Sequence, residues 1–422
     1  MFQKITLKNG LRVISVPQKN AQSLTVLVLV GTGSKYETKE TNGISHFLEH
    51  MYFKGTKKRP TYLEVAETLD KVGGIYNAFT GEDYTGYFAK VDALRLDLAL
   101  DWVSDIFLNS KIPSSEIKKE KGVIIEEINM RQDHPSVFVQ SLWTKLLYGD
   151  QPAGWDIAGT KESVSNISRQ QLLDYMKNQY VAKNTVICVA GKVQTPQLIK
   201  KIKRHFSKIR TLKSINKPKV IEQQSRPQCL LKERKTDQAH LCLGVRAFNL
   251  FHPEKYVQEV LAIILGGMMS SRLFVQVREK LGMAYYISAT VAADPDTGFL
   301  VTQAGIDNSK VELGISAILR EYKKISQEKV SQNELKKAKD YIKGKTSLLL
   351  EPSDARALFF ASQELLEGEI LTPEEIFHKI DKISPSDILK VARTIFQPSK
   401  LNLALIGPSK NTVRLQEILN KF

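Results

Sequence analysis

Ile167-Ser168-Arg-Gln-Gln-Leu-Leu173 opens a stretch that closes on Val186-Ile-Cys-Val-Ala190-Gly191, and Ile383-Ser384-Pro-Ser-Asp-Ile-Leu389 opens another that closes on Leu401-Asn-Leu-Ala-Leu-Ile406-Gly407. The shared Ile, Ser, Leu and final Gly lie at one offset, 216 (383 − 167 and 407 − 191). Each stretch reads as a helix followed by an apolar strand ending in Gly. Thr85-Gly86-Tyr87 returns as Thr297-Gly298-Phe299 at an offset of 212 (297 − 85). A nearly constant offset between widely separated motifs marks a duplication. The sequence therefore predicts two copies of one strand-and-helix layered domain, each of about 200 residues.

Alternating strand and helix signals fill the first copy. Residues 3–17 read as strand, turn and strand around Asn9-Gly10. Leu24–Val30 is a buried strand, and Ile44–Lys54 is helical. Thr61–Val72 is an amphipathic helix stopped by Gly73-Gly74. Tyr84–Val91 alternates again, and Leu94–Leu108 and Ser114–Met130 are long helices.

Composition narrows the class. With 42% apolar and 25% charged residues, the chain is an ordinary globular one and not a disordered one. Its longest apolar runs, Leu24–Val30 and Val257–Met269 (broken by Gln258 and Glu259), fall short of the roughly 18 residues that span a bilayer. The start of the chain lacks the long apolar core of a signal peptide. Cys188, Cys229 and Cys242 are sparse and have no C-x-x-C spacing, which suits a reducing compartment and excludes a cysteine-based metal site. A cytoplasmic protein with no membrane partner is expected.

The net charge of +16 invites a nucleic-acid reading, but its distribution speaks against one. Between Lys200 and Lys235 there are 13 Lys and Arg against Glu222 and Glu233, so this stretch carries +11 and the other 386 residues carry +5. Pro218, Pro227, Ser214, Asn216 and Ser225 interrupt it, and Phe206 is its one aromatic. A solvated linker between the halves fits better than a nucleic-acid surface, with an anion-binding strap as the alternative. The expected domains are 1–207 and 228–422, joined by a basic linker over 208–227.

Chemistry concentrates in Gly43-Ile-Ser-His46-Phe-Leu-Glu49-His50-Met-Tyr-Phe53. On a helix, His46 and His50 lie about 40° apart on one face, close enough for both imidazoles to reach one ion. Glu49 sits on the neighbouring edge. A catalytic zinc takes three protein ligands and a water that needs a carboxylate to accept its proton. The helix Ser114–Met130 offers a third ligand. Val123, Ile124, Met130 and Glu120 lie within about 60° of Glu127, which places Glu127 in the middle of an apolar face, whereas Glu126 is roughly 100° away. An unpaired carboxylate there is costly, and either a metal or Arg131 would satisfy it.

H-x-x-E-H is the inverted zinc motif of the inverzincins, and the chain resembles the pitrilysin and insulin-degrading-enzyme group, which includes the mitochondrial processing peptidases. That group has its Glu ligand some 76 or 77 residues after the motif, and here 127 − 50 = 77. It has a second Glu seven residues earlier, and 127 − 120 = 7. The resemblance implies one zinc ion (Zn2+) per chain on His46, His50 and Glu127, with Glu49 as general base and Glu120 orienting a ligand. Gly73-Gly74-Ile-Tyr-Asn77-Ala78-Phe79-Thr80 resembles the group's substrate-pairing edge strand, which implies that Asn77 and Ala78 bind peptide. Arg278 and Tyr285, seven apart, resemble its pair for the substrate carbonyl and oxyanion.

The second half has no H-x-x-E-H of its own, and His240, His252 and His378 are isolated. The resemblance covers essentially the whole chain and is nearest to the half-length, two-domain members. It implies the α+β fold of the mitochondrial processing peptidases, duplicated within the chain. It also implies a metalloendopeptidase that cuts peptides or short unfolded segments inside a closed chamber formed by a homodimer. The alternative is a catalytically silent peptide-binding or assembly subunit.

Overall fold

The computed structural model describes residues 2–422. Eleven strands form two sheets among these residues. In chain order the elements begin with β1 (Gln3–Thr6), β2 (Arg12–Pro17), β3 (Ser23–Val30), α1 (Ile44–Met51), α2 (Tyr62–Asp70), β4 (Ile75–Thr80), β5 (Thr85–Asp92), α3 (Leu96–Asn109), α4 (Ser114–Asp133) and α5 (Pro135–Tyr148). They continue with α6 (Lys161–Asn166), α7 (Arg169–Gln179), β6 (Thr185–Gly191), α8 (Thr195–His205), β7 (Gln228–Glu233), β8 (Gln238–Arg246) and α9 (Lys255–Gly266). The last are β9 (Ala284–Ala293), β10 (Gly298–Asp307), α10 (Val311–Gln327), α11 (Gln332–Leu349), α12 (Ser353–Leu366), α13 (Pro373–Asp381), α14 (Pro385–Ile395), β11 (Leu401–Gly407) and α15 (Thr412–Asn420).

The duplication is written into the sheets. The first has the order β1-β2-β6-β3-β5-β4 and the second β7-β11-β8-β10-β9. Leaving β1 aside, each position matches: β2 with β6 and β7 with β11 are the parallel pairs, and every other pair is antiparallel. The repeated Ile-Ser motifs are helix starts. Ser168 Oγ accepts from the Gln171 amide while Gln171 Oε1 accepts from the Ser168 amide, and Ser384 does the same with Asp387. Such reciprocal caps satisfy backbone donors that the first turn leaves open.

The molecule divides into two compact units that interleave along the chain. Unit 1 comprises Met1–Asn129, Trp155–Pro218 and Ser347–Ile370, and unit 2 comprises Met130–Gly154, Lys219–Thr346 and Leu371–Phe422. In unit 1, one sheet face packs Val26, Val28 and Tyr87 against helices of the first half, including Trp102 and Val103 of α3. Its other face, with Ile14, Leu27, Leu29 and Cys188, is covered by Ala357, Phe360 and Ala361 of α12. Unit 2 does the converse. Its main core joins Leu241, Leu243 and Leu403 to α9, α10 and α14, and its second face, with Cys242, Val301 and Ala404, is covered by Val139, Leu142 and Trp143 of α5. Each unit therefore takes the cover for one sheet face from the opposite end of the sequence. A fully buried side chain of this size contributes roughly 1.5–3 kcal/mol, so neither cover is incidental.

Residues 211–224 form no regular secondary structure and are mostly exposed. In unit 1 the stretch is tied by the Ala182 amide to the Arg210 carbonyl at 2.7 Å, by Gln179 Nε2 to the Ile215 carbonyl at 3.2 Å, and by Lys217 to Asp83. In unit 2 Gln151 and the Ile221 backbone exchange two hydrogen bonds of 2.9 Å. Trypsin should cut here first, at exposed sites such as Lys213 or Lys219. The two fragments of similar size should then co-elute on native size exclusion and separate only in denaturant, because α12 and α5 each cover a sheet face of the other fragment's unit. Fragments that part without denaturant would contradict this, as would resistance of the stretch while other sites are cut.

Candidate metal centre

α1 carries the metal motif and is held by its apolar side. Phe47, Leu48 and Met51 are fully buried, while the His46 and His50 side chains keep 12% and 20% exposure on the opposite side. Gly43, before the first turn, has φ +95, and a Cβ there would sit 2.6 Å from the Ala158 carbonyl oxygen. Only glycine fits both conditions. The helix ends three residues earlier than the sequence suggests, at Met51 rather than Lys54, with Tyr52 continuing only as a cap.

The sequence-predicted ligands converge. His46 Nε2 lies 3.5 Å and His50 Nε2 3.7 Å from Glu127 Oε2, and the two imidazoles meet edge to face with centroids 4.7 Å apart. Two ligands each at about 2.0–2.1 Å from a tetrahedral ion stand about 3.4 Å apart, so this donor set has the size of a zinc cradle. Among the described residues it is the one group of three or more His, Cys, Asp or Glu able to hold a metal. Two imidazoles and a carboxylate are the ligand types of a catalytic zinc site, in which the fourth position belongs to water.

Glu127 does not lie in the middle of an apolar face, where the helix periodicity places it. On α4 the packed side chains are Ile117, Glu120, Ile124 and Ile128, while Val123 and Met130 are 50% and 56% exposed. Glu127, at 31% side-chain exposure, lies on the border between these flanks. A border position leaves the carboxylate facing the histidines without the cost of full burial. Glu126 is exposed and accepts from Asn129 Nδ2 at 3.3 Å.

Glu120, one face and two turns before Glu127, accepts from His50 Nδ1 at 3.0 Å. That bond puts the proton on Nδ1 and turns the Nε2 lone pair toward Glu127. Burial raises the Glu120 pKa, but hydrogen bonds from His50 and from Lys54 Nζ, at 2.6 Å, outweigh it and hold the carboxyl below its usual range. Glu49 is raised instead: burial dominates over the Thr80 hydrogen bond and the His50 charge, and Glu127 pushes the same way as burial. Thr80 Oγ1 donates to Glu49 Oε2 at 2.5 Å.

β4 lies at the edge of the unit 1 sheet, paired on one side with β5. Asn77 is exposed and Ala78 is buried, and the Ala78 amide donates to Asn77 Oδ1 at 2.9 Å. In unit 2, Arg278 sits on a π-helical segment, Phe274–Lys280, with its guanidinium 4.6 Å from the Phe274 ring centre. Gly305 pairs with Tyr286 and Ile306 with Ala284, so Tyr285 is the extra residue of a β-bulge and its side chain is 75% exposed. Bulges re-aim side chains in this way. Arg278 and Tyr285 line one groove of about 440 Å³. Sequence reasoning did not single out Lys54, the bond from Thr80 to Glu49, or Glu37, a buried carboxylate before α1. Thr80 stood inside a quoted motif, but its partner is set only by folding.

Comparison with known proteins names the group to which this donor set belongs. Residues 12–161 match the family described as Insulinase (Peptidase family M16), and residues 166–342 match the Peptidase M16 inactive domain. The Bacillus subtilis protein named uncharacterized zinc protease YmxG is 35% identical over 97% of this chain and 99% of its own length. An uncharacterized zinc protease of Rickettsia bellii is 33% identical over 97% and 98%. A protease from Helicobacter pylori of known structure superposes with a TM-score of 0.91 at 25% identity, covering 97% of this chain and all of that one. A chain of complex III2 from Candida albicans shares the fold, with a TM-score of 0.85 at 20% identity over 99% of each chain. The chain belongs to peptidase family M16 and has its two-domain α+β fold, in a half-length form. No helix among the described residues is long and apolar enough to cross a membrane.

Proposed function

We propose that this chain is a zinc-dependent metalloendopeptidase acting on peptides or short unfolded segments. The observation that carries this is the His46, His50 and Glu127 cradle of tetrahedral size, with Glu49 beside it. One zinc per chain would be held by those three residues. Zinc supplies Lewis acidity, making water acidic near neutral pH and polarising a carbonyl. Glu49 accepts the proton of the attacking water and returns it to the leaving amine, and Thr80 fixes its carboxylate. Glu120 keeps the His50 tautomer that leaves Nε2 free. The edge of β4 at Asn77 and Ala78 pairs with the peptide backbone, and the Asn77 side chain must first release the Ala78 amide. Arg278 and Tyr285 offer a charge and a donor to the developing oxyanion.

The active form we infer is a homodimer enclosing a chamber, in which Arg278 and Tyr285 serve the partner's zinc. The three cysteines are free thiols, which suits the cytoplasm. As copies of the duplicated sequence the halves are 1–207 and 228–422 with 208–227 as the linker between them, whereas the compact units also exchange 130–154 and 347–370 between these halves. A silent subunit is the competing function. To decide, the zinc content and the hydrolysis of a quenched peptide are measured for the wild type, and then for Glu49→Gln and Tyr285→Phe chains after subunit exchange. Random pairing makes half the dimers mixed, each with one of two sites restored, so recovery should approach roughly a quarter of wild-type activity. A zinc-loaded wild type that cuts no peptide would establish the silent subunit. No recovery after confirmed exchange would refute the trans arrangement.

A further inference from the structure

Glu37 is 3% exposed and lies nine residues before His46, outside the metal motif. Its carboxylate is nevertheless built into the start of α1. Glu37 Oε2 accepts from the Gly43 amide at 2.8 Å and from Asn42 Nδ2 at 3.0 Å, and Oε1 accepts from the Ser45 amide at 2.9 Å. Two of these donors are backbone amides of the helix start, and a carboxylate there also meets the positive end of the helix dipole. Burial pushes the carboxyl up to about 7 against the pull of the Ser45 and Gly43 amides. A group held at that cost is retained for a reason.

The same turn has a second anchor. Tyr175 Oη on α7 is 2.9 Å from Ser45 Oγ and 2.7 Å from Thr32 Oγ1, just past β3. Asn42 Nδ2 also donates to the Asp156 carbonyl at 3.0 Å, and Ser163 Oγ to the Asn42 carbonyl at 2.7 Å. The first turn of α1 is therefore clamped on both sides. Ser45 is the residue before His46. A rotation of that turn by even a fraction of a residue swings both imidazoles, since they share one helix face.

We propose that Glu37 is a positioning residue for the metal site, setting the rotation and height of α1 so that His46 and His50 meet Glu127. It acts through the backbone and touches neither the ligands nor the substrate. The inference rests on the zinc reading above, deepening it from ligands to what aims them. A glutamine cannot replace the carboxylate. Its amide oxygen can serve the Gly43 and Asn42 donors or the Ser45 donor but not both, and its NH2 would face an amide N–H.

The test compares two buried carboxylates in unit 1. Glu364 is buried and ion-paired with Lys4 and Arg12, on the sheet face that α12 covers. Glu37→Gln and Glu364→Gln are purified, shown to be folded by circular dichroism, and titrated with zinc against a chelator, with no substrate present. Loss of a partner that orients a metal site costs about 10–100-fold in affinity, so Glu37→Gln should bind zinc at least about tenfold more weakly. Glu364→Gln should stay within about twofold of wild type, because it perturbs stability without touching α1. Equal affinity in Glu37→Gln and wild type overturns the proposal, and so does an equal loss in both variants, which would be general loosening. If Glu37→Gln does not fold, Asn42→Ala removes one donor to the carboxylate and should weaken zinc binding relative to wild type; unchanged affinity then overturns the proposal. A wild type that binds no zinc defeats the metal reading itself. One that binds zinc but cuts no peptide defeats only the peptidase reading.

Discussion

Glu49→Gln should keep its zinc and lose its hydrolysis. The substitution is nearly isosteric, and the side-chain oxygen can still accept from Thr80. None of the three ligands is touched, so metal content should remain at the wild-type level. What disappears is the proton acceptor. A positioned general base is worth about 10²- to 10⁴-fold, and turnover should fall by that order. Peptide affinity, measured with a non-hydrolysed peptide, should change little, because the loss lies in the transition state and not in the ground state. Retention of more than a small fraction of wild-type turnover would mean that another group takes the proton.

Glu127→Gln should empty the site, and Glu126→Gln should not. The two carboxylates are adjacent in sequence and about 100° apart on α4. Glu127 Oε2 stands 3.5 and 3.7 Å from the two histidine nitrogens, whereas Glu126 is exposed beside Asn129. A neutral amide is a poor zinc ligand, and losing a direct ligand should exceed the roughly 10–100-fold cost of losing an outer partner. In zinc titrations against a chelator, Glu126→Gln should match wild type. Full occupancy in Glu127→Gln would remove it from the ligand set.

The fold was legible where local chemistry repeats. Ser168 and Ser384 are caps, and caps are short-range signals that the offset of 216 made recognisable as copies. Matching strand orders then followed from the same units folding twice. The ligands were legible for a similar reason: His46 and His50 are four residues apart, and one helix turn brings them together. Pattern alone did not reveal that Ser353–Leu366 covers the sheet of the first half or that Pro135–Tyr148 covers that of the second. An apolar helix stripe says that it must be covered, not by which sheet. The same limit explains Glu127. The wheel found Val123 and Met130 nearby, but only packing shows that these two face outward while Ile124 and Ile128 face in. Glu37 gave no signal because it is one acid in the polar run Ser34–Asn42, and its partners are backbone amides that have no letter in the sequence.

The exchanged helices also set a clock on the ribosome. The unit 1 sheet has all six of its strands once Gly191 has been made, but α12 does not begin until Ser353, 162 residues later (353 − 191). At about 5–20 residues per second, synthesis takes roughly 8–32 s to reach it. Throughout that interval the residues of α12 that cover Ile14, Leu27, Leu29 and Cys188 in the finished fold have not yet been made. Helix α5 faces the opposite situation: it emerges early and waits for strands β8, β10 and β11 that do not yet exist. A sheet and a helix, each awaiting a different partner, are natural clients for a chaperone at the exit tunnel, and the last covering step is closed only as the C-terminal strand arrives.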